Sequence, residues 1–479
     1  MDYRSVLKCA VEKVKKLNAE ELLREGLLAR NGYYLPMLFY PPPCWSFQEM
    51  GEEKFFQNFS TCTQESFGIY VHIPFCMQRC SYCSFPIVEE ISNPDKDRYL
   101  SALEKEMDLY KDRLGTKTIS ARSVNVGGGT PTLMSPRQLA RFSSFLHKKI
   151  DLSLSQEMTI DVDPATLLGD EGIQRLRILK DYGFNRMTIG AQSFDDNILE
   201  SMKRPHDAKD IIKAIHQARR AGFDNICLDI IYGFPGESIE SWIKTMENVI
   251  SAGVESYQIY RLRVFPISPL RKSVIHEMFL DHPESFPSFE ELLLMKAVVG
   301  ILSRQYGYEE DGDYTGVFSK TRKGQSVFNT EQCGKTLDVL GFGMAAFNSL
   351  GNTFGIKTYR DMYAYCQAVE NNIIPFVEGI RRSEQDERSR RFLGILKYKG
   401  KVGKEFLGTG AQESETFRKR IEKLKSFGLM EENRSRIALT PRGKFFVDDV
   451  CLQFYRKIYL PFPREAFNEG ALNPYNEFS

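Results

Sequence analysis

Short apolar segments alternate with amphipathic segments along residues 67–290. Six of the apolar segments have the pattern of buried strands: 68–74, 123–129, 157–164, 186–193, 225–233 and 256–263. The amphipathic segment 207–223 is typical of the others, because Ile211, Ala214, Ile215 and Ala218 recur at helical spacing. Strands that alternate with helices predict parallel strands joined by right-handed crossovers. The pattern therefore predicts an α/β fold with an incomplete parallel (β/α)6 barrel.

Several polar residues interrupt these strands. Asp161, Gln192 and Asp229 each lie in a segment that is otherwise mainly apolar. A parallel strand covered on both faces is expected to be nearly all apolar, and a buried charge is costly unless it is paired or touches a ligand. The strands therefore predict a polar ligand in the barrel mouth. The alternative is a set of internal ion pairs and strand-end caps.

The chain divides into five regions at changes of composition. Residues 1–66 combine a charged helix with a proline- and aromatic-rich segment, residues 67–290 form the predicted barrel, and residues 291–379 are expected to be a barrel extension and linker. Residues 380–458 predict a mainly helical, winged-helix-like domain, and 459–479 a tail. Three consecutive prolines exclude helix and central strand in the first region, so we expect an extended segment across the barrel.

Composition narrows the choice of partner and compartment. Lys plus Arg number 64 and Asp plus Glu 63 among 479 residues, so net charge does not favour nucleic acid or an acidic membrane surface. We therefore expect the winged-helix-like region to act as a lid over the barrel mouth and not to bind nucleic acid. The N-terminal segment lacks the apolar core of a signal peptide or membrane helix, which predicts a cytoplasmic protein without a membrane span.

Ten cysteines occur in the chain, and three of them form its one cluster. Cys76, Cys80 and Cys83 have the spacing C-x3-C-x2-C directly after the first predicted strand. A structural zinc site normally uses four ligands, and the nearby His72 lies inside the strand, where the pleat fixes its direction. A cube of four irons held by three cysteines would leave one iron for a non-protein ligand. The cluster therefore predicts a metal centre that binds a substrate or cofactor directly.

This cysteine spacing at the end of a first barrel strand resembles that of radical S-adenosylmethionine (SAM) enzymes. The resemblance implies a [4Fe-4S] cluster held by Cys76, Cys80 and Cys83, with SAM bound to the fourth iron. It implies that one electron cleaves SAM to methionine and a 5'-deoxyadenosyl radical. It also implies an electron donor such as flavodoxin or ferredoxin, and we expect a monomer.

Five motifs in order allow a narrower match. They are "YVHIPFC", "VGGGTPTL", "GFNRMTIGAQSF", "DIIYGFPGES" and "VLGFGMAA". Together they resemble the oxygen-independent coproporphyrinogen dehydrogenase group, which also contains haem chaperones, haem-opening enzymes and class C radical SAM methyltransferases. The similarity extends over about residues 66–455.

The resemblance assigns SAM-binding roles to individual positions. It implies cofactor contacts for Tyr70, Tyr82, Gly128, Gly129, Thr130, Asp161, Gln192, Arg204 and Asp229. Tyr70 would lie near the sulfonium and, with Arg204, would be catalytic. Asp161 stands where the family usually has a longer Glu, so its contact with SAM is expected to be weaker. Without the cysteine loop, the glycine triplet would indicate only a tight strand-to-helix turn.

Two departures bear on the choice of reaction. Ser84 and Phe85 follow Cys83 where the dehydrogenase has Gly and a further Cys, and "FYPPPCW" resembles the proline-rich segment of class C methyltransferases. The leading expectation is therefore methyl or methylene transfer to a planar unsaturated substrate, with two SAM molecules. The alternative is porphyrin or haem chemistry, either coproporphyrinogen dehydrogenase-like or haem ring opening. The second alternative is a non-enzymatic haem chaperone for a tetrapyrrole-like ligand.

Overall fold

The computed structural model describes most of the chain. The described ranges are 3–30, 32–34, 40–42, 47–57, 66–265, 273–310, 316–357, 361–407 and 411–476. Most of the "FYPPPCW" segment lies outside them, so its expected path across the barrel stays a prediction.

Nineteen strands occur in the described residues. They are β1 Gln48–Glu49, β2 Phe67–Ile73, β3 Phe75–Cys76, β4 Val88–Glu89, β5 Ile119–Gly128, β6 Ile150–Asp151, β7 Glu157–Val162, β8 Arg186–Gln192, β9 Ile226–Tyr232, β10 Ser256–Arg261, β11 Glu309–Glu310, β12 Val317–Ser319, β13 Val339–Phe342, β14 Phe347–Leu350, β15 Thr353–Lys357, β16 Phe376–Arg381, β17 Lys401–Gly403, β18 Met430–Glu432 and β19 Arg436–Leu439.

Seventeen α-helices occur in the same residues. They are α1 Tyr3–Leu17, α2 Ala19–Arg24, α3 Glu52–Phe56, α4 Asn93–Leu114, α5 Pro136–Lys149, α6 Gly169–Asp181, α7 Asp196–Ser201, α8 Ala208–Arg220, α9 Ile239–Ser251, α10 Val274–Asp281, α11 Phe289–Gln305, α12 Val327–Asn329, α13 Met362–Glu370, α14 Glu384–Lys399, α15 Ala411–Ser426, α16 Pro441–Phe445 and α17 Val447–Leu452.

A parallel sheet forms the centre of the molecule. The six predicted strands correspond to β2, β5, β7, β8, β9 and β10, and each pairs in parallel with the next. Helices such as α8 connect them, and the buried face of α8 carries Ile211, Ala214, Ile215 and Ala218. The predicted α/β architecture of an incomplete barrel is confirmed.

The sheet continues beyond residue 290, in the region expected to be a barrel extension and linker. β13 lies parallel beside β2, and β14, β15 and β16 extend this edge as antiparallel strands. β12 and β11 extend the opposite edge beyond β10. β13 is only four residues long, and so short an apolar run cannot be assigned from periodicity alone.

The N-terminal helix packs against the side of the barrel. Val6, Ala10, Val14 and Leu17 recur on one face of α1 and are buried, and α1 contacts α11. The tail returns to the same region, because the Leu472 amide donates to the carbonyl of residue 25 at 2.7 Å. Both ends of the chain therefore cover the barrel near α11.

The C-terminal region contains the predicted helix, hairpin and helix in order. α15 is followed by the antiparallel pair β18–β19 and then by α16, and β17 completes a three-stranded sheet. Within the described part of the chain, no helix is both long enough and apolar enough to cross a membrane.

Candidate active site

The cysteine loop follows β2 and lies against the glycine-rich end of β5. The Cys83 amide donates to the Cys80 carbonyl at 3.0 Å, which folds the loop back on itself. The Thr130 amide donates to the Phe75 carbonyl at 2.7 Å, and the Thr130 hydroxyl lies 3.8 Å from the Cys76 sulfur. The loop that carries the thiols and the loop after β5 therefore form one unit.

The glycines at the end of β5 allow neighbouring groups of the protein to pack directly against the backbone. Gly128 has φ +112°, and a Cβ there would lie 2.7 Å from Nδ1 of His72. A Cβ on Gly127 would overlap the Asp161 carboxylate, and one on Gly129 would lie 2.6 Å from a backbone carbonyl of the cysteine loop. Only glycine fits these positions, and the exposed backbone can approach a ligand closely.

His72 ties β2 to the far end of the cysteine loop. Its Nε2 lies 3.0 Å from the Pro86 carbonyl, and its Nδ1 lies 3.0 Å from the Tyr70 hydroxyl. A carbonyl only accepts, so Nε2 donates and Nδ1 accepts from Tyr70. Burial lowers the pKa of His72 to about 4, which keeps the ring neutral. With both nitrogens engaged, His72 supports the loop and is not placed as a metal ligand.

Arg204 connects the cysteine loop with the barrel lumen. Its Nη1 donates to the Cys80 sulfur at 3.2 Å and to the Tyr82 hydroxyl at 3.4 Å. Its Nη2 donates to the Asp163 carboxylate at 2.6 Å and to the Gly190 carbonyl at 2.8 Å. A guanidinium held at both ends in this way is fixed in position and adds a positive charge beside the thiols.

Asp163 holds Arg204, and His206 in turn contacts Asp163; sequence reasoning assigned no site role to His206. Burial alone would raise the pKa of Asp163, but the Arg204 guanidinium and His206 outweigh it and hold that pKa below its usual range. His206 Nδ1 lies 3.4 Å from the second Asp163 oxygen. Asp163 lies two residues after Asp161 in extended backbone, and alternate residues of such a segment share a face, which was the available signal. His206 lies in a loop, where no such pattern exists.

Two carboxyl groups share the lumen of the sheet. Asp161 on β7 and Asp229 on β9 are partly buried, and their removal from water raises their pKa values to about 7 and about 8. Asp229 Oδ1 and Arg204 Nε are buried without a hydrogen-bond partner among the described residues. Gln192 has φ +67° where the β8–β9 pairing shifts register. Unpartnered buried polar atoms are costly, so this lumen is arranged to contact polar groups of a ligand.

The raised pKa values predict a pH-dependent stability of the protein without cofactors. Between about pH 4 and 8 the folded chain holds more protons on these carboxyls than the unfolded chain, so the free energy of unfolding falls as the pH rises. We expect the Asp161→Asn/Asp229→Asn variant to show a flatter profile and to be more stable at pH 8 by about 2 kcal/mol or more.

Denaturant unfolding across this pH range measures the effect. Asp181→Asn, a substitution of an exposed helix residue, is the control and should leave the profile unchanged. Parallel profiles for the wild type and the double variant would contradict the burial argument.

The arrangement fits a [4Fe-4S] cluster with SAM. Burial raises the pKa of Cys76 to about 12 and also raises that of Cys83, so binding of iron by these thiols would release protons. Within the described ranges, no three His, Cys, Asp or Glu side chains are close enough to hold a single metal ion. A cluster instead places each cysteine on a different iron.

Comparisons with known proteins agree with this geometry. Residues 70–249 match the family model described as the Radical SAM superfamily. The heme chaperone HemW of Bacillus subtilis is 28% identical over 80% of this chain and 97% of its own length. The oxygen-independent coproporphyrinogen III oxidase of Helicobacter pylori is 25% identical over 85% of this chain and 90% of its own length.

One solved structure shares the whole fold. Coproporphyrinogen III oxidase HemN from Escherichia coli, described as a radical SAM enzyme, superimposes with a TM-score of 0.74 at 22% sequence identity. The match covers 88% of this chain and 96% of that one. Residues 70–249 therefore match the radical SAM superfamily, whose cofactors are a [4Fe-4S] cluster and SAM. Over most of its length the chain is similar to coproporphyrinogen III oxidases and heme chaperones.

These relatives favour a different reaction from the one that the sequence led us to expect first. Methyl or methylene transfer, the leading expectation from "FYPPPCW", finds no support among them, whereas the porphyrin alternative does. The segment that suggested methyl transfer is short and proline-rich, and such composition reflects backbone conformation more than chemistry.

Proposed function

We propose that the chain is a radical SAM enzyme that acts on a tetrapyrrole-type substrate. Cys76, Cys80 and Cys83 hold the cluster in this proposal, because they share one loop with ligand spacing and lie beside the Arg204 guanidinium. The coproporphyrinogen III oxidases among the relatives supply the substrate class. The observation that carries the proposal is the unpartnered Asp229 oxygen in a lumen linked to Cys80 through Arg204.

The remaining site residues bind and orient SAM. The backbone at Gly128, Gly129 and Thr130 contacts the amino acid part of SAM, since the two glycines carry no side chain. Gln192 on β8 and Asp229 on β9 face the ribose from neighbouring strands, and Asp161 on β7 is near enough to Asp229 to raise its pKa.

Arg204 places positive charge near the SAM carboxylate without having to move, because Asp163 already holds it. The Tyr82 ring packs edge-on against Phe234 at 5.6 Å and forms an apolar wall for the adenine. The Tyr70 ring stacks on Phe347 at 5.0 Å, so this tyrosine orients the site through His72.

When bound, the cofactors supply an electron and the radical that removes a hydrogen atom from the substrate. An external reductant such as flavodoxin or ferredoxin provides the electron. The protein contributes fixed geometry and a lumen shielded from water, which protects a reactive radical from side reactions.

The test is anaerobic reconstitution with iron and sulfide, followed by SAM, a strong reductant and coproporphyrinogen III. We expect release of 5'-deoxyadenosine together with loss of carbon dioxide from the substrate, measured by mass spectrometry. Asp229→Ala should keep the cluster but bind SAM about tenfold to a hundredfold more weakly, the cost of one charge-assisted hydrogen bond. Absence of SAM cleavage under strong reduction would overturn the enzymatic proposal.

A haem chaperone is the second candidate. It is favoured by the Bacillus subtilis relative, which matches over 97% of its length, and by Ser84 and Phe85 after the cluster cysteines. This candidate predicts stoichiometric haem binding with little SAM turnover. Titration with haem in the same preparation separates the two candidates.

A further inference from the structure

A cavity of about 470 Å³ lies beside β10, away from the cysteine loop. Its walls come from β10, α11, α1 and the C-terminal helical region. The consecutive residues Gln258–Arg261 all line it, and neighbouring strand residues point to opposite faces, so the cavity borders both faces of this sheet edge. β12 pairs with Ser256–Gln258 of β10, and the Ile259 amide donates to the Gly316 carbonyl at 2.8 Å, so among the described residues this pairing ends before Tyr260 and Arg261. The volume suits a small organic ligand.

Positive charge dominates the lining of the cavity. The charged lining residues are the cations Lys13, Arg261, Lys296, Arg304 and Lys397 and the acids Glu309, Glu310 and Asp448. The Lys13 and Lys296 amino groups lie 5.5 and 4.9 Å from the centre of the same Phe445 ring. Burial lowers the pKa of both lysines. Two ammonium groups over one ring repel each other, and a bound anion would relieve that repulsion.

Two of the acidic lining residues, Asp448 and Glu310, are held by hydrogen bonds, and the Asp449 carboxyl lies near enough to Arg261 and Lys296 for those cations to lower its pKa against the effect of burial. Asp448 accepts from Lys397 at 2.6 Å and from the Tyr34 hydroxyl at 3.2 Å, and Glu310 accepts from the Gly316 amide at 3.0 Å. In the described part of the chain, no carboxylate lies within ion-pair distance of Lys13 or Arg261. The Arg261 guanidinium instead stacks 4.9 Å above the Tyr34 ring. These two cations can therefore receive an anionic group from a ligand.

Aromatic side chains line the rest of the cavity and lead toward the lumen. The tyrosines concerned are Tyr34, Tyr232, Tyr260 and Tyr308. Gln258 and Tyr260 pair in register with Asp229 and Ile231 of β9, on the face of the sheet that carries the lumen carboxyls. A flat ligand held at this edge by its charged groups would thus have its ring system directed toward the SAM site.

We propose that this cavity binds the carboxylate groups of the tetrapyrrole, with Lys13, Arg261 and Lys296 as the residues that select for them. The inference rests on the proposed tetrapyrrole function, and it adds where the carboxylate substituents of the tetrapyrrole bind. Carboxylates of coproporphyrinogen and of haem have the same chemistry here. Ammonium and guanidinium groups form strong charge-assisted hydrogen bonds with either one.

Binding of coproporphyrin III, followed by its fluorescence, tests the assignment in the reconstituted protein, and haem is titrated in parallel by absorbance. We expect Lys13→Gln and Arg261→Gln each to weaken binding about tenfold or more. The tetramethyl ester of coproporphyrin, which lacks the charges, should bind weakly and with the same affinity to wild type and variants. Lys15→Gln, an exposed position on the same helix, is the matched control and should bind like the wild type.

SAM affinity and iron content serve as the second readout, and both should be unchanged because no cysteine-loop residue lines the cavity. If the two variants bound haem more weakly than the wild type but bound coproporphyrin III equally well, the cavity would be supported with haem as its ligand. Equal binding of coproporphyrin III and haem by wild type and both variants would overturn this inference and leave the proposed function intact. Failure of the wild type to bind either tetrapyrrole would overturn both.

Discussion

Replacing Cys76, Cys80 and Cys83 together by alanine is expected to abolish cluster binding and reduce SAM cleavage to background. No other described cysteine shares their loop, and the cluster is the source of the electron for cleavage. Iron and sulfide analysis, electron paramagnetic resonance and 5'-deoxyadenosine release measure the result. This is the largest functional effect expected for any set of substitutions in the chain.

The matched controls are Cys9→Ala and Cys366→Ala, which remove thiols distant in sequence from the loop. Both variants should retain the full iron content. A complete cluster in the triple variant would show that other residues ligate the iron, and loss of iron in a control would point to general misfolding.

Breaking the buried pair of Glu106 and Lys357 is expected to cause the largest loss of stability. The Glu106 carboxylate on α4 lies 2.6 Å from the Lys357 amino group on β15, and both side chains are fully buried. The second Glu106 oxygen accepts from the Gly343 amide at 2.7 Å and from the Tyr365 hydroxyl at 2.9 Å. Lys357→Met would leave a buried, uncompensated carboxylate, which typically costs about 3 to 5 kcal/mol.

Denaturant unfolding of the single and double variants checks this expectation. Glu106→Gln/Lys357→Met should be destabilised less than Lys357→Met alone, because the neutral pair leaves no unpaired charge. If the two substitutions were simply additive, the ion pair would not be the source of the effect. Arg464→Gln, which breaks an exposed pair with Glu469, is the control and should leave the free energy of unfolding nearly unchanged.

Local sequence patterns predicted the centre of the molecule well. The six barrel strands and the cysteine loop can be recognised from the spacing of residues close together in the sequence. The strands predicted in this way correspond to β2, β5, β7, β8, β9 and β10. The relatives found by comparison are coproporphyrinogen III oxidases and heme chaperones, which are members of the group that the five motifs resemble.

Contacts between distant parts of the chain were not predictable in the same way. Arg204 reaches Cys80 across 124 positions and Asp163 across 41, and no pattern within one element indicates such a pairing. The cavity beside β10 combines Lys13, Arg261 and Asp448, which come from the beginning, the middle and the end of the chain. β13 was missed because its four residues are too few to show a period.

Arg204 has a consequence for how this site can evolve. One guanidinium donates both to the sulfur of Cys80, a proposed cluster ligand, and to a carbonyl of the lumen strand β8. Hydrogen bonds to the sulfurs shift the reduction potential of a cluster, so any substitution here alters electron uptake and cofactor affinity at once. A related protein that changed the reduction potential through Arg204 would also have to change Asp163, which holds this residue in place, and His206, which contacts Asp163. Substitutions of Arg204 are therefore expected to change the reduction potential and the cofactor affinity together.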